Sequence, residues 1–147
     1  EIRRIVFSAL VEYGIATDPA GLDADLNDVE ANYIECGGAF EVVEAPDGRI
    51  VGTLGLLPRH DGICELRRVY LSREARGMGL GKTLMERALD SARSLGFRRI
   101  ELETADVLVE AAGLCKRFGF RRHERDYADS RCNVAYALDL DPGAVEA

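Results

Sequence analysis

Three glycines at alternate positions, Gly77, Gly79 and Gly81, join a run of β character to a strongly amphipathic stretch, and they restrict this chain more than any other feature. Residues 63–71 read as a strand. From Gly81 onward Leu84, Met85, Ala88, Leu89, Ala92 and Leu95 recur at helical spacing, Glu86, Arg87, Asp90 and Arg93 face away, and Gly96 ends the pattern. Glycines at such a junction carry no Cβ to keep a ligand off the backbone. The first N–H groups of the helix are unpaired and its dipole is positive there, which favours a phosphate, and Arg76 and Lys82 add charge at the same place.

The rest of the chain supplies a frame for that junction. Ile2, Ile5, Val6, Ala9, Leu10 and Tyr13 predict an opening amphipathic helix stopped at Gly14. Leu22, Leu26, Val29, Tyr33 and Ile34 predict a second helix with an acidic outer face. Residues 39–44 and 50–57 read as a β-hairpin around Pro46-Asp47-Gly48, and His60-Asp61-Gly62 turns the chain into the strand that precedes the glycines. Alternation of Ile100 and Leu102 with Glu101 and Glu103 marks a further strand, residues 107–118 a further helix, and Val134, Tyr136, Leu138 and Leu140 a closing strand. With 147 residues, the whole of 1–147 is expected to form one domain.

Charge narrows the partners. The net charge is −7, yet residues 1–48 hold eleven acids against Arg3 and Arg4, while residues 67–82 hold Arg67, Arg68, Arg73, Arg76 and Lys82 against Glu74 alone. An acidic chain with one short basic island is a poor general binder of nucleic acid but suits a single small polyanion. Apolar runs fall well short of a membrane span, and no charged-then-apolar leader opens the chain. Cys36, Cys64, Cys115 and Cys132 form no C-x-x-C pair, and His60 and His123 are the only histidines. No metal site is expected, and reduced, packed thiols point to the cytoplasm.

Two phosphate loops fail on spacing. A P-loop ending at Gly81-Lys82-Thr83 would need glycine at Arg76, and G-x-G-x-x-G fails from Gly77 at Lys82 and from Gly79 at Leu84. The pattern [RQ]-x-x-G-x-[GA] fits as Arg76-Gly77-Met78-Gly79-Leu80-Gly81, and here the chain resembles the GNAT superfamily of N-acetyltransferases. The stretch Glu110-Ala111-Ala112-Gly113-Leu114-Cys115-Lys116-Arg117-Phe118-Gly119-Phe120 resembles that family's E-A-x-x-L-Y-x-x-x-G-F ending. The resemblance implies an α+β fold: a mixed, mostly antiparallel sheet, splayed at an acetyl-CoA cleft between residues 65–71 and 98–104 and flanked by about four helices. It also implies that the amides of Arg76, Gly77, Met78, Gly79, Leu80, Gly81, Lys82 and Thr83 hold the coenzyme A pyrophosphate. Val69, Tyr70 and Leu71 would line the pantetheine arm, with an N–H near Val69 or Tyr70 polarising the thioester carbonyl. A typical member opens with a strand before the first helix, and this sequence, which starts at Glu1, lacks one.

The resemblance further implies direct attack of a neutral primary amine, from a small molecule or a protein, on acetyl-CoA. Glu65 is the candidate base, at the offset where histone-type members place a glutamate; the alternative is a solvent-facing residue or a partner for Arg67. Cys115 departs from the pattern, standing where many members carry a tyrosine that protonates the departing thiolate. Proton donation by Cys115, a small apolar filler there, and substitution by Tyr127 are the readings to separate. The acidic stretch Asp18, Asp23, Asp25, Asp28 and Glu30 is either a solvated face or a lure for a cationic acceptor. Many members are dimers, so a homodimer is expected. The competing function is an acetyl-CoA sensor or partner-binding module that has lost turnover.

Overall fold

The computed structural model describes residues 1–106 and 108–140. The opening helix α1 (Ile2–Glu12) buries Ile5, Val6, Ala9 and Leu10. A second continuous helix does not form. Its apolar positions are divided between a 3₁₀ turn (Ala24–Asn27) and a single π-helical turn (Glu30–Ile34), so among the described residues three α-helices and these two turns flank the sheet. The cause is local competition for backbone donors. The Asp18 carboxylate accepts the Leu22 N–H at 2.9 Å, and Asp28 accepts the Ala31 N–H at 3.0 Å.

The hairpin is β1 (Ala39–Glu44) and β2 (Ile50–Pro58), followed by β3 (Ile63–Leu71). A 3₁₀ turn (Arg73–Ala75) and the glycines lead into α2 (Leu80–Ser94), then β4 (Arg99–Thr104), α3 (Val109–Arg117), the short β5 (Arg121–Arg122) and β6 (Val134–Asp139). Of the helix expected over 107–118, Val109–Arg117 forms, Leu108 stands outside it, and Val107 lies outside the described residues. Six strands form one open sheet in the order β1-β2-β3-β4-β6-β5, antiparallel throughout except for β3 beside β4.

Both faces of the sheet are covered. Leu54, Leu56, Cys64, Leu66, Ile100, Leu102 and Tyr136 pack against Leu84, Met85, Ala88, Leu89 and Ala92 of α2 and Cys115 of α3. Each such aliphatic side chain contributes roughly 1.5–3 kcal/mol on full burial. On the other face Val6 and Leu10 of α1 meet Leu26, Phe40 and Tyr70. Gly55 keeps that second layer close, because a Cβ there would come within 2.8 Å of the Tyr33 ring.

One irregularity positions the site. Thr53 pairs with Tyr70 but Gly55 pairs with Arg67, so Arg68 and Val69 together oppose Leu54 in a β-bulge. Arg68 sits at φ 59°, a backbone conformation usually given to glycine. The extra residue reverses the alternation of β3: Leu66 faces α2, and so do Val69 and Leu71, while Tyr70 faces α1.

Candidate functional site

Strands β3 and β4 pair over only three positions, Ile63 with Arg99, Cys64 with Ile100 and Glu65 with Glu101. Beyond Glu65 they diverge, so the β4-facing edge of β3 from Leu66 to Leu71 has no strand partner among the described residues. A cleft of about 610 Å³ opens there. Its walls include Val69, Tyr70 and Leu71 on β3, Leu102 to Thr104 on β4, Leu114 and Cys115 on α3, and Gly77, Gly79, Gly81 and Lys82 at the start of α2.

The opening of α2 is built from main chain. Gly77 and Gly79 have φ of 77° and 78°, and a Cβ on either would meet nothing within 4 Å, so conformation rather than crowding demands glycine. Arg76 N donates to Arg73 O and Thr83 N to Gly79 O. Between them the N–H groups of residues 77–82 have no hydrogen-bond acceptor among the described residues. Six consecutive free donors at a helix N-terminus make a concentrated anion site. Arg76 itself braces the loop: its guanidinium donates to Leu71 O at 3.1 and 3.2 Å, pairs with Glu12 and lies 5.6 Å from the Tyr13 ring centroid. The cations that line the cleft without an ion-pair partner, among the described residues, are Arg67, Lys82 and Arg117.

A profile of the acetyltransferase (GNAT) family matches residues 9–120. The chain belongs to the acetyltransferase (GNAT) family. The uncharacterized N-acetyltransferase YjgM of Escherichia coli (strain K12) is 37% identical over 132 residues, which cover 86% of this chain and 77% of YjgM. A GNAT-family acetyltransferase of Staphylococcus aureus has the same fold with a TM-score of 0.90 at 24% identity, over 95% of this chain and 91% of that one. The protein yncA of Salmonella typhimurium, solved with its cofactor acetyl-CoA, has a TM-score of 0.72 at 22% identity, over 95% and 87% of the two chains.

Within this GNAT fold the residues singled out from sequence are not all equally placed. Val69, Tyr70, Leu71, Arg76, Gly77, Gly79, Gly81 and Lys82 line the cleft; Met78, Leu80 and Thr83 belong to the same loop and first helical turn without lining it. Glu65 lines it too, with its side chain 6% exposed. Its expected neighbour Arg67 does not pair with it. Arg59 and Arg125 both donate to Glu65 Oε1, the latter at 3.1 Å, and Oε2 accepts no hydrogen bond among the described residues. Cys115 is buried in the cleft wall, and burial pushes its thiol up to about 11. Tyr127 is exposed and lies outside the cleft.

The α1 side of the site holds a network that the sequence did not announce. Arg68 donates to Asp23 at 2.9 Å, to Asp25 at 3.0 Å and to Leu22 O at 3.0 Å, with its side chain 4% exposed. Arg131 donates to Asp23 at 2.7 and 2.9 Å, to Asp129 and to Ala16 O. Burial alone would raise the Asp23 pKa, but the bonds from Arg131, the Asp18 N–H and Arg68 outweigh it and hold that carboxyl at about 2. Of the acidic stretch read as either a solvated face or a lure for a cationic acceptor, Asp23 and Asp25 are neither solvated nor free, since Arg68 and Arg131 pair with them. Arg125 similarly gathers Glu65, Glu101 at 3.5 Å and Glu103 at 3.3 Å. Tyr13, Asp129 and Cys132 also line the cleft; only the folded chain brings them there, since they lie far from the glycine motif in sequence.

Among the described residues no group of three or more His, Cys, Asp or Glu side chains could hold a metal ion, and no helix is long and apolar enough to cross a membrane.

Proposed function

We propose that this chain transfers the acetyl group of acetyl-CoA to a primary amine by direct attack. The observation that carries the reading is the set of free N–H groups at residues 77–82, placed at the mouth of a cleft whose β3 edge has no strand partner. Gly77, Gly79 and Gly81 leave room for a pyrophosphate against those amides, and Lys82 and Arg117 supply unmatched positive charge beside them. The apolar walls of Val69, Leu71, Met85 and Leu114 suit a pantetheine arm along the β3 edge. Acetyl-CoA, when bound, supplies the thioester.

In this reaction the amine nitrogen bonds to the acetyl carbon, the carbon–sulfur bond breaks, and one amine proton must leave. An alkylamine with pKa near 10.4 is mostly protonated at pH 7, and restoring its lone pair costs roughly 4–5 kcal/mol at 1.36 kcal/mol per unit. A proton acceptor in the cleft offsets that cost. Glu65 takes the role through Oε2, while Arg59 and Arg125 fix Oε1 and so orient the carboxylate. Cys115 serves as a cleft wall, and the coenzyme A thiolate departs into water or is protonated there. A silent acetyl-CoA sensor is the competing reading, favoured by the cysteine at position 115.

Two measurements test the assignment together: calorimetry with acetyl-CoA, and release of free thiol over a panel of primary amines. Glu65→Gln is expected to retain cofactor heat while kcat falls by about 10²-fold or more. Cofactor heat without thiol release for any amine selects the sensor. Folded protein that gives no heat at all defeats both readings.

A further inference from the structure

On the α1 side of the sheet around the cleft, the charges of the described residues that line it are ion-paired with one exception. Glu65 is held by Arg59 and Arg125, Glu101 and Glu103 by Arg125, Asp23 by Arg68 and Arg131, Asp25 by Arg68, and Asp129 by Arg131. Arg67 is half-buried, lines the cleft and has no hydrogen bond or ion pair among the described residues.

Its place in β3 determines what it faces. Leu66 points toward α2, so Glu65 and Arg67 point the other way, toward α1. Across the sheet Arg67 is opposite Gly55, which offers no side chain and is covered by the Tyr33 ring. The glycine loop and the unmatched Lys82 and Arg117 lie on α2 and α3, on the opposite side of the strand. Arg67 is therefore not needed for the coenzyme's phosphates, and its half-buried guanidinium, although near enough to Asp25 to lower that carboxyl's pKa, makes no ion pair with it, so its own donors stay unused. A planar fork with its donors unused matches a carboxylate bidentately.

We propose that Arg67 anchors the carboxylate of the acceptor, which makes the acceptor an amino carboxylate, an amino acid or a close relative, rather than a cationic polyamine. The proposal rests on the acetyl-transfer reading above. The amine end of such a molecule is directed along the cleft toward Glu65, two residues earlier on the same face of β3.

The test compares thiol release for α- and ω-amino acids with release for their carboxamides, in wild type, Arg67→Met and Arg67→Lys, alongside acetyl-CoA calorimetry on all three. Wild type is expected to favour the carboxylates over the amides by about 10- to 100-fold in kcat/KM, chiefly through KM. Arg67→Met abolishes that preference, Arg67→Lys retains a part of it, and all three bind acetyl-CoA alike. Acetyl-CoA binding with no preference for carboxylates, with an unchanged preference in Arg67→Met, or with an inert amino acid panel overturns the role of Arg67 and leaves the acetyl-transfer reading standing. Wild-type protein that gives no heat with acetyl-CoA removes that reading and this proposal with it.

Discussion

The two ends of the cleft carry hydrogen-bond donors of different kinds. At the α2 end the donors are main-chain N–H groups held by residues adjacent in sequence, and three of those six residues, Gly77, Gly79 and Gly81, carry no side chain. At the β3 and β4 end the donors are guanidinium groups, joined to carboxylates 45 and 108 residues away in the chain. Main-chain recognition is thus local and tolerant of side-chain change so long as φ is preserved. Side-chain recognition is distributed, and removal of one member strands its partners.

That contrast can be broken experimentally, beginning where the effect is greatest. Arg68→Leu leaves Asp25 without its cation and Asp23 with Arg131 alone, and is expected to cost about 3–5 kcal/mol, read as a fall in Tm of about 10 °C or more. A variant that melts with wild type would show that the network is incidental to the fold. Gly79→Val forces a β-branched residue to φ 78° and puts a side chain where the phosphates are proposed to lie. Its acetyl-CoA Kd, measured by calorimetry, should rise by about 100-fold or more, and an unaltered Kd would mean that the loop is not the cofactor site.

Acid should act on the guanidinium end. Asp23 titrates near 2 in the folded protein against an ordinary 3.8, a depressed value, so its stabilisation is complete above 3.8 and is lost as pH falls through about 2. The contribution is on the order of 2 kcal/mol. Thermal melts of wild type and Asp23→Asn should converge over that window, and parallel curves would remove Asp23 from the acid response. The smallest effect belongs to Cys115→Ala, which should change kcat by less than about threefold because a thiol raised to about 11 by burial acts as packing. A hundredfold loss would instead make Cys115 a proton donor.

The same contrast explains what the sequence disclosed. The glycine loop, the amphipathic α2, the hairpin and the closing strand were legible because each is written in a short, contiguous pattern. Residues 22–34 had helical spacing, yet they broke into two turns because Asp18 and Asp28 capture backbone donors and Asp23 and Asp25 turn toward Arg68. The bulge was hidden because an arginine, not a glycine, takes the positive φ. Glu65 could be nominated from its offset before the loop, but its partners Arg59 and Arg125 come from a turn and a distant segment that no local period connects.

The bulge at Arg68 also limits how β3 can change over evolutionary time. Because the bulge already absorbs one supernumerary residue, deleting Arg68 alone would set Val69 opposite Leu54 and leave Val69, Tyr70 and Leu71 in the layers they now occupy. Loss of a single residue should therefore be accepted at the bulge, where the register survives it, and not at a paired position such as Leu66.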